Sequence, residues 1–331
     1  MRTYDQRTID STGSFLIQQL EQLDRTIHDP LQTFTWSRDI NVRTDATMGH
    51  DFTSFTNSQM ASVGGIDPTK KAFISKDSST LPNVAVDIGK TGSPLIPWGL
   101  EIQFTIFELE AAMLTTGGSI DEQKFNALKK KHQQDTDIQV YLGDSGIPNA
   151  YGLLNSPQVS TGAVAANGSG SSTLWINKTP QQILQDVNAT LTAAWAASGY
   201  EYCPSKMLIS PTVFGYLSTT IISIGGVGGG MSILTYLEQN SISLRTNGKA
   251  LELVPCKWCT GTNNGNPYGV NATDMYLVYT QEYDLVRFPT VPMVGLPVQF
   301  KGAAQIRPYV CKLGLVEFVY PETLYAAYGI N

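Results

Sequence analysis

The chain has 331 residues, a hydrophobic fraction of 42%, a charged fraction of only 15% and a net charge of −6. This composition supports a buried core, and its acidic balance argues against a protein that grips nucleic acid through many phosphate contacts. We expect no membrane span, because no apolar run approaches the roughly 20 residues required, and the polar residues 1–13 predict no signal peptide and therefore folding in a cytosol. A surface this short of charge indicates either large protein interfaces or a face rich in Ser, Thr and Asn.

Residues 14–29 predict an amphipathic helix with Ser14 as its cap. The side chains on its apolar face are Phe15, Leu16, Leu20, Leu23 and Ile27. Residues 30–51 follow without a pattern. Such a segment either docks on a neighbouring molecule or packs on its own body as a first helix, and we favour the first interpretation.

Residues 52–97 are poor in large aliphatic side chains and rich in Ser, Thr, Gly and Asp. Alternating stretches at 71–74 and 83–88 predict two strands. A two-stranded excursion with so few core residues is not stable alone, so we expect it to rest on another chain. The alternative is an unstructured surface insertion, but structureless loops of this length are uncommon in compact domains unless they are functional.

The next stretch predicts two helices separated by a glycine break. The first has the apolar spacing of a short amphipathic helix at Phe104, Phe107, Glu108, Ala111 and Ala112. Gly117 and Gly118 end it, because glycine enters left-handed backbone without steric cost. Ser119, with Glu122 three residues later, forms the pattern of a capping box.

The second helix is expected to run to about Tyr141, and most of its residues are polar. Its lysine run at Lys129–Lys131 either faces solvent or contacts a neighbouring molecule. Its sparse apolar positions are Phe125, Leu128 and Ile138. Such a helix buries one narrow stripe, so it either lies on a sheet or spans an interface between molecules.

The middle of the chain predicts a compact α/β unit. Residues 158–174 are low in complexity and predict a mobile loop. Thr179 then caps a helix with Pro180 at its first position. The apolar stripe of this helix comprises Ile183, Leu184, Val187, Leu191, Ala194 and Trp195. Strands and helices alternate afterwards, over 206–210, 211–217, 233–237, 251–254 and 275–279.

The last part of the chain predicts strands that return to the sheet beneath the long helix. Residues 299–320 have the alternation of two long strands with outward polar side chains. Pro289, Pro292 and Pro297 predict a crossover into them.

Gly143–Gly146 spells GDSG, which also occurs around the nucleophile of trypsin-like proteases. That chemistry needs a histidine base held by a buried carboxylate, and His28, His50 and His132 have no matching context. We therefore predict that GDSG is the turn that ends the long helix.

Cys256 and Cys259 form a Cys-x-x-Cys motif. A thioredoxin-type site places this motif at a helix start, whereas here it follows a strand and Pro255. A structural zinc would need the two remaining cysteines, Cys203 and Cys311, as further ligands. Free buried thiols are the favoured interpretation, with the four-cysteine zinc site as the alternative. We predict no cofactor, no other metal site and no catalytic residue.

The glycine-rich loop at Gly225–Gly230 invites comparison with nucleotide-binding turns. Met231 stands where a dinucleotide fingerprint needs its third glycine, and no Lys-Ser/Thr follows as in a phosphate-binding loop. Nucleotide binding is therefore the less favoured interpretation.

The order of elements in this chain resembles that of the major capsid proteins of tailed double-stranded DNA bacteriophages. The resemblance begins with the extended run Trp98–Glu101, continues through a short helix, a long polar helix and the Gly143–Asp144 turn, and includes the closing segment Tyr151–Asn155. It extends to the C-terminus, and the order of elements carries it rather than any single motif.

The resemblance implies an α+β fold, the tailed-phage major capsid fold. Its parts would be an N-terminal arm (1–50), an extended β-hairpin loop (51–100), a peripheral domain with a long spine helix (101–155), an α/β axial domain (156–290) and return strands that make the peripheral domain discontinuous (291–331). In this family the arm and the extended loop overlap neighbours, and axial domains meet at five-fold and six-fold centres. The apolar tail 326–330 would close the peripheral domain, and the loop at 225–230 would be a flexible part of the axial domain.

We therefore expect a structural protein, not an enzyme, that assembles with itself in pentamers and hexamers into the icosahedral capsid of a virion. The resemblance implies scaffolding, portal and decoration proteins as further partners, DNA enclosed without sequence-specific binding, no membrane contact and assembly in the host cytoplasm. One alternative is an encapsulin-like compartment with the same fold and an enzyme cargo. The other is a soluble nucleotide-dependent enzyme that uses the loop at 225–230.

Overall fold

The computed structural model describes residues 32–61, 71–77, 79, 81, 83–108, 110, 120–222 and 230–331. Several predicted features lie outside these ranges: the helix over 14–29 together with His28, Ala111 and Ala112 of the short helix, the glycine break at 117–118, the cap at Ser119 and residues 225–229 of the glycine loop.

The strands in the described ranges are β1 (Asn41–Arg43), β2 (Phe52–Ala61), β3 (Ala85–Pro94), β4 (Ile96–Thr105), β5 (Ser160–Ala163), β6 (Lys206–Ile209), β7 (Ile221–Ile222), β8 (Met231–Ser232), β9 (Glu252–Pro255), β10 (Met275–Tyr279), β11 (Val286–Gly295), β12 (Gln299–Lys301), β13 (Ala304–Leu313), β14 (Glu317–Phe318) and β15 (Tyr325–Tyr328). The α-helices are α1 (Trp36–Asp39), α2 (Ile120–Tyr141), α3 (Pro180–Ala197), α4 (Pro211–Thr219), α5 (Ile233–Asn240) and α6 (Ile242–Asn247). Residues 106–108 and 110 are also helical.

The first sheet joins segments that are far apart in the sequence. β13 pairs antiparallel with β4 along its whole length, from Ala304 opposite Thr105 to Leu313 opposite Ile96. β11 pairs with β13, and β1 lies parallel to β11. β12 and β14 add short antiparallel pairings to β13 and β11. The prediction that late strands return to the sheet beneath the long helix is confirmed.

The long helix α2 lies on this sheet. Its Leu128 belongs to a small apolar cluster with Ile102, Phe104 and Tyr309, and Phe125 packs against that cluster. The C-terminal half of α2 buries polar side chains as well, namely Thr136, Asp137 and Gln139. The predicted narrow apolar stripe is therefore only part of the buried face.

Three predictions in this region are wrong. Phe104 belongs to β4 rather than to the short helix, since its side chain points into the cluster beneath α2. Pro289 and Pro292 lie within β11 and do not mark a crossover. Pro289 stands opposite Arg43, the last residue of β1, and Pro292 lies in the register shift between Val291 and Val294, where a bulge tolerates a missing N–H. The predicted pair of long late strands is instead one long strand, β13, between the short β12 and β14.

The GDSG segment forms the turn at the end of α2, as predicted. Gly143 has φ +70°, and the Gly146 N–H donates to the Asp144 carboxylate at 2.8 Å. The chain then runs back along the helix end, where the Leu153 N–H donates to the Val140 carbonyl at 2.8 Å. The Asn155 amide donates to the Leu142 carbonyl at 2.7 Å. The segment after the turn thus satisfies carbonyls that every helix end leaves unpaired.

The second sheet has the order β5-β15-β10-β6-β9, and α3 packs on it. α3 begins with a capping box in which Thr179 and Gln182 bond each other's backbone N–H groups. The predicted alternation of strands and helices between 180 and 279 is confirmed.

Two predictions fail at the edge of this sheet. Residues 160–163 of the predicted mobile loop form β5, which pairs parallel with β15. The apolar tail closes this second sheet rather than the first, since β15 lies between β10 and β5. The backbone of β15 pairs with β10 and β5, and the side chains of Ala326 and Ala327 belong to the cores on opposite faces of this sheet.

A separate two-stranded hairpin consists of β2 and β3, paired from Phe52 opposite Pro94 to Ala61 opposite Ala85. The predicted two-stranded excursion is confirmed. The predicted strand at 71–74 is wrong, because residues 71–75 have no regular structure, whereas the stretch at 83–88 does lead into β3.

Candidate functional site

The hairpin exposes an unusual amount of apolar side chain to solvent. Val84, Val86 and Ile88 are 58%, 62% and 68% exposed, and their spacing of two residues places them on one face of the β3 segment. Phe73 and Leu81, between the two strands, are also largely exposed. Contiguous exposed apolar surface of this kind marks a site of contact with other molecules.

The root of the hairpin is held by a charged cluster centred on Glu317. The Glu317 side chain is fully buried and accepts hydrogen bonds from Arg287 Nε at 2.7 Å and from Arg43 Nη1 at 3.1 Å. Arg43 also pairs with Asp45 at 2.7 Å, which lowers the pKa of that carboxyl group, and it donates to the Ser54 carbonyl of β2 at 3.2 Å. Two arginines and two carboxylates thus balance in charge where the hairpin leaves the first sheet.

Apolar and surface contacts also hold the root. Leu95, which follows β3, packs with Ala46 and Val291 in a small buried cluster. Lys312 donates to the His50 carbonyl at 2.9 Å and to Asp51 at 2.8 Å, and this partner lowers the pKa of Asp51. These contacts connect the hairpin to β11 and β13.

The segment before the hairpin is tied to the body by buried carboxylates. Asp137 of α2 accepts hydrogen bonds from the backbone N–H groups of Thr35 and Trp36 at 3.0 and 3.2 Å. Its other oxygen accepts from the Trp258 indole at 2.8 Å and pairs with Lys257 at 2.9 Å. Residues 30–51, which have no sequence pattern, therefore include α1 and β1 and are integrated into the body from residue 32 onward.

None of the cluster residues was identified from the sequence. Arg43 and Glu317 are 274 residues apart, so no local motif joins them. One signal was available: Glu317 is the lone charged residue in the apolar run 315–319, and a carboxylate in such a run is almost never buried without a partner.

The cysteine motif lies in the apolar core. All four cysteines are free and buried. Cys256 precedes a 3-10 turn and Cys259 is its last residue; both belong to the first core cluster, and burial raises the pKa of Cys259. Burial also raises the pKa of Cys203, and that of Cys311 to about 11. Inert thiols fit this environment.

Within the described ranges, His, Cys, Asp and Glu side chains form no group of three or more that could hold a metal ion. None of the helices described here is long and apolar enough to cross a membrane. Of the histidines considered as a base for GDSG, His132 packs edge-on against Trp98 and His50 accepts from the Thr47 backbone, so neither is engaged with Ser145.

Comparison with known proteins gives one family. A model of the major capsid protein family matches residues 70–330. A comparison with curated proteins finds no match.

Several solved structures share the fold. The capsid of the Myoviridae phage XM1 has a TM-score of 0.73 and 14% identity, covering 95% of this chain and 98% of that chain. The capsid of a native GTA particle has a TM-score of 0.58 and 10% identity, covering 98% of each chain. A structure of Mycobacterium phage Ogopogo has a TM-score of 0.55 and 12% identity, covering 96% and 98%. At these identities the likeness concerns the fold alone.

The expected tailed-phage capsid fold and the expected family are confirmed, and the encapsulin-like alternative is not favoured. Since the family model spans most of its length, this chain belongs to the major capsid protein family and is a structural shell protein.

Proposed function

We propose that copies of this chain assemble through rings of five and six into the icosahedral shell of a virion, and that the shell encloses double-stranded DNA. The exposed apolar face of the hairpin, formed by Val84, Val86 and Ile88, carries the proposal. Each copy would lay this face on the next copy. Because donor and acceptor surfaces differ, such a contact closes into a ring when the rotation between copies permits.

The energetics favour this role. Complete burial of one Val or Ile side chain stabilises by about 1.5–3 kcal/mol, so three of them supply a modest contact that every subunit repeats. A shell gains its stability from this repetition, since each subunit is held by several such contacts at once.

The remaining parts of the proposal follow the family resemblance. We assign the arm to residues before 32 rather than to the whole of 1–50, because residues 32–51 pack on the body. We assign the extended loop to the hairpin over 52–94 rather than to 51–100, because β4 pairs with β13 in the first sheet. The first sheet with α2 corresponds to the peripheral domain, and the second sheet, including β15, corresponds to the axial domain. The net charge of −6 suits a wall that encloses DNA without holding it tightly. Assembly takes place in the host cytoplasm with scaffolding and portal proteins, and decoration proteins bind the finished shell.

The test replaces the apolar face by side chains of similar shape and strand propensity, as Val84→Thr, Val86→Thr and Ile88→Thr together. We expect the triple variant to fold with a circular dichroism spectrum like that of the wild type and to lose most of its particles. Size-exclusion chromatography and negative-stain microscopy measure the yield of shells, rings and free subunits.

The control variant changes the opposite face of the same strand, as Ala85→Thr and Asp87→Thr, and is expected to assemble. Normal shells from the triple variant would remove the hairpin from the proposal. A wild-type protein that remains a monomer or dimer at every concentration, with its partner head proteins present, would contradict assembly itself. Particles from producing cells that contain no nuclease-protected DNA would contradict enclosure.

A further inference from the structure

The hairpin touches the rest of the molecule only near its root, within the part of the chain that the structure describes. Residues 85–92 of β3 are all exposed, and only Ser93 and Pro94 are partly covered. On β2, Thr53 is buried and bonds Ser93 across the hairpin at 3.0 Å. The direction in which the hairpin projects therefore depends on a few contacts at its root.

Glu317 is the group that those contacts share. Arg43 reaches from Glu317 to the Ser54 carbonyl of β2, and Arg287 reaches from Glu317 to a position 6.0 Å from the centre of the Phe55 ring. Two hairpin contacts are thus made by arginines that one buried carboxylate orients, and Ser93 of β3 donates to that carboxylate directly, with its Oγ 3.5 Å from Oε1. The apolar cluster of Ala46, Leu95 and Val291 fixes the chain where β3 ends.

The space beside the root leaves room for movement. An open groove of about 310 Å³ lies between the hairpin and the loop after α2, with Thr91, Gly92, Pro148, Asn149 and Tyr151 among its lining residues. Glu317 also lines this groove, so the open space lies directly beside the contacts that hold the hairpin root.

We infer that Glu317 is a positioning residue that sets the angle between the hairpin and the first sheet. Without the negative charge of Glu317, Arg43 keeps Asp45 as its bonded partner, whereas Arg287 loses the carboxylate that it bonds and keeps the Tyr283 ring, whose centre lies 5.1 Å from its guanidinium carbon. Arg287 then moves toward solvent and releases Phe55. The hairpin consequently samples a range of angles. The importance of this angle for assembly rests on the proposed function, whereas the role of Glu317 in setting the angle does not depend on that function.

The experiment measures the angle in the free subunit by pulsed electron paramagnetic resonance between two spin labels. Ala85→Cys labels the outer end of β3, and Asn126→Cys labels the exposed side of α2; both positions are exposed. The four native thiols are buried, and the parent protein without added cysteines gives the background labelling. Distances are compared in the wild type, Glu317→Gln and Glu317→Asp.

We expect a single narrow distance in the wild type and in Glu317→Asp, which keeps the charge. In Glu317→Gln the distribution is expected to widen roughly twofold or more, as for a released hinge. Arg287→Gln, which breaks the same contact from the other side, is expected to widen it as well and serves if Glu317→Gln fails to fold. Asp274→Asn, which neutralises a buried carboxylate in the second sheet region, is the matched control and leaves the distance narrow.

An unchanged narrow distance in both Glu317→Gln and Arg287→Gln would overturn the inference, whatever happens to assembly. The inference would also be overturned if the distance distribution widened equally in Asp274→Asn and in the Glu317 and Arg287 variants, because general destabilisation would then explain the effect. A widened distance together with normal shells would uphold the role of Glu317 and contradict the proposed role of the hairpin.

Discussion

Tyr141, the last residue of α2, donates a hydrogen bond to the buried carboxylate of Asp39, the last residue of α1. Arg38 and Lys206 pair with the same carboxylate at 2.7 and 3.2 Å. A buried charge without partners is strongly destabilising, so these donors from α1, α2 and β6 hold the carboxylate jointly. The segment before the hairpin is thereby connected to both sheets.

Tyr141→Phe tests the strength of this connection. The variant keeps the ring and removes the donor, so we expect the free energy of unfolding to fall by about 1–3 kcal/mol, as for hydrogen bonds to charged groups. Urea unfolding followed by circular dichroism measures the change. Tyr200→Phe, on a side chain that is 64% exposed, is the control and should match the wild type. Equal stabilities for both variants would mean that Arg38 and Lys206 suffice for Asp39.

Gly143→Ala tests the turn after α2. Gly143 has φ +70°, and a Cβ there would lie 2.1 Å from the Ala150 carbonyl oxygen. Gly170 has nearly the same φ, +69°, but a Cβ there would meet nothing within 4 Å. Gly170→Ala is therefore expected to cost about 1–2 kcal/mol from backbone strain alone. Gly143→Ala should cost clearly more, because Ala150 must move, and thermal unfolding of the two variants should show the difference.

The free energy of unfolding is expected to depend on pH through His132. Burial lowers the pKa of its imidazole, and its Nε2 atom finds no hydrogen-bond partner among the described residues. The unfolded state, with a pKa near the ordinary value of about 6.5, therefore binds the proton more readily than the folded state. The contribution of the uncharged imidazole to the free energy of unfolding is present above the unfolded pKa. It is lost as the pH falls from the unfolded pKa toward the lower folded pKa. His132→Phe should unfold in urea with a smaller loss between neutral and mildly acidic pH than the wild type; parallel losses would exclude His132 as the cause.

Lys178 and Asp186 form a buried ion pair, so we expect the effects of their substitutions on the free energy of unfolding to be non-additive. Their side chains are 0% and 2% exposed and lie 2.5 Å apart, with the Trp175 indole also donating to Asp186 at 3.1 Å. Asp186→Leu alone leaves the lysine charge uncompensated and should cost about 3–5 kcal/mol. Adding Lys178→Met should recover much of that loss, which chemical unfolding of both variants would measure. A double variant as unstable as the sum of its single variants would show that the charges do not interact.

Local signals predicted the elements that local chemistry determines. α3 begins where Thr179 and Pro180 predict it, because a cap and a fixed φ act within a few residues of each other. α2 ends at Tyr141, as expected from the glycine turn that follows. The strands at 206–209 and 275–279 are continuous apolar runs, and such runs are recognisable because both of their faces are buried.

Features that depend on distant partners were not predictable. Ser160–Ala163 has little strand propensity, and it becomes β5 only because β15 offers it an edge. Pro289 and Pro292 indicate a break in most contexts, whereas here a bulge and an ending parallel partner accommodate them in β11. The candidate site divides in the same way. A two-stranded excursion with one strand near 83–88 was predicted from local alternation, whereas β2 was not located and the root of the hairpin depends on Glu317, far along the chain.

The long pairing of β4 with β13 also has a consequence for biosynthesis. About 200 residues separate the two strands, and at roughly 5–20 residues per second the ribosome needs about 10–40 s to supply the second after the first. The hairpin closes from neighbouring residues well within that interval, but Glu317 follows β13 and emerges later still. We expect ribosome-bound chains that end before residue 304 to expose their hairpin roots to protease and to bind no completed subunits. The order of synthesis then delays assembly, since a growing chain has no directed hairpin to offer its neighbours until residue 317 has emerged.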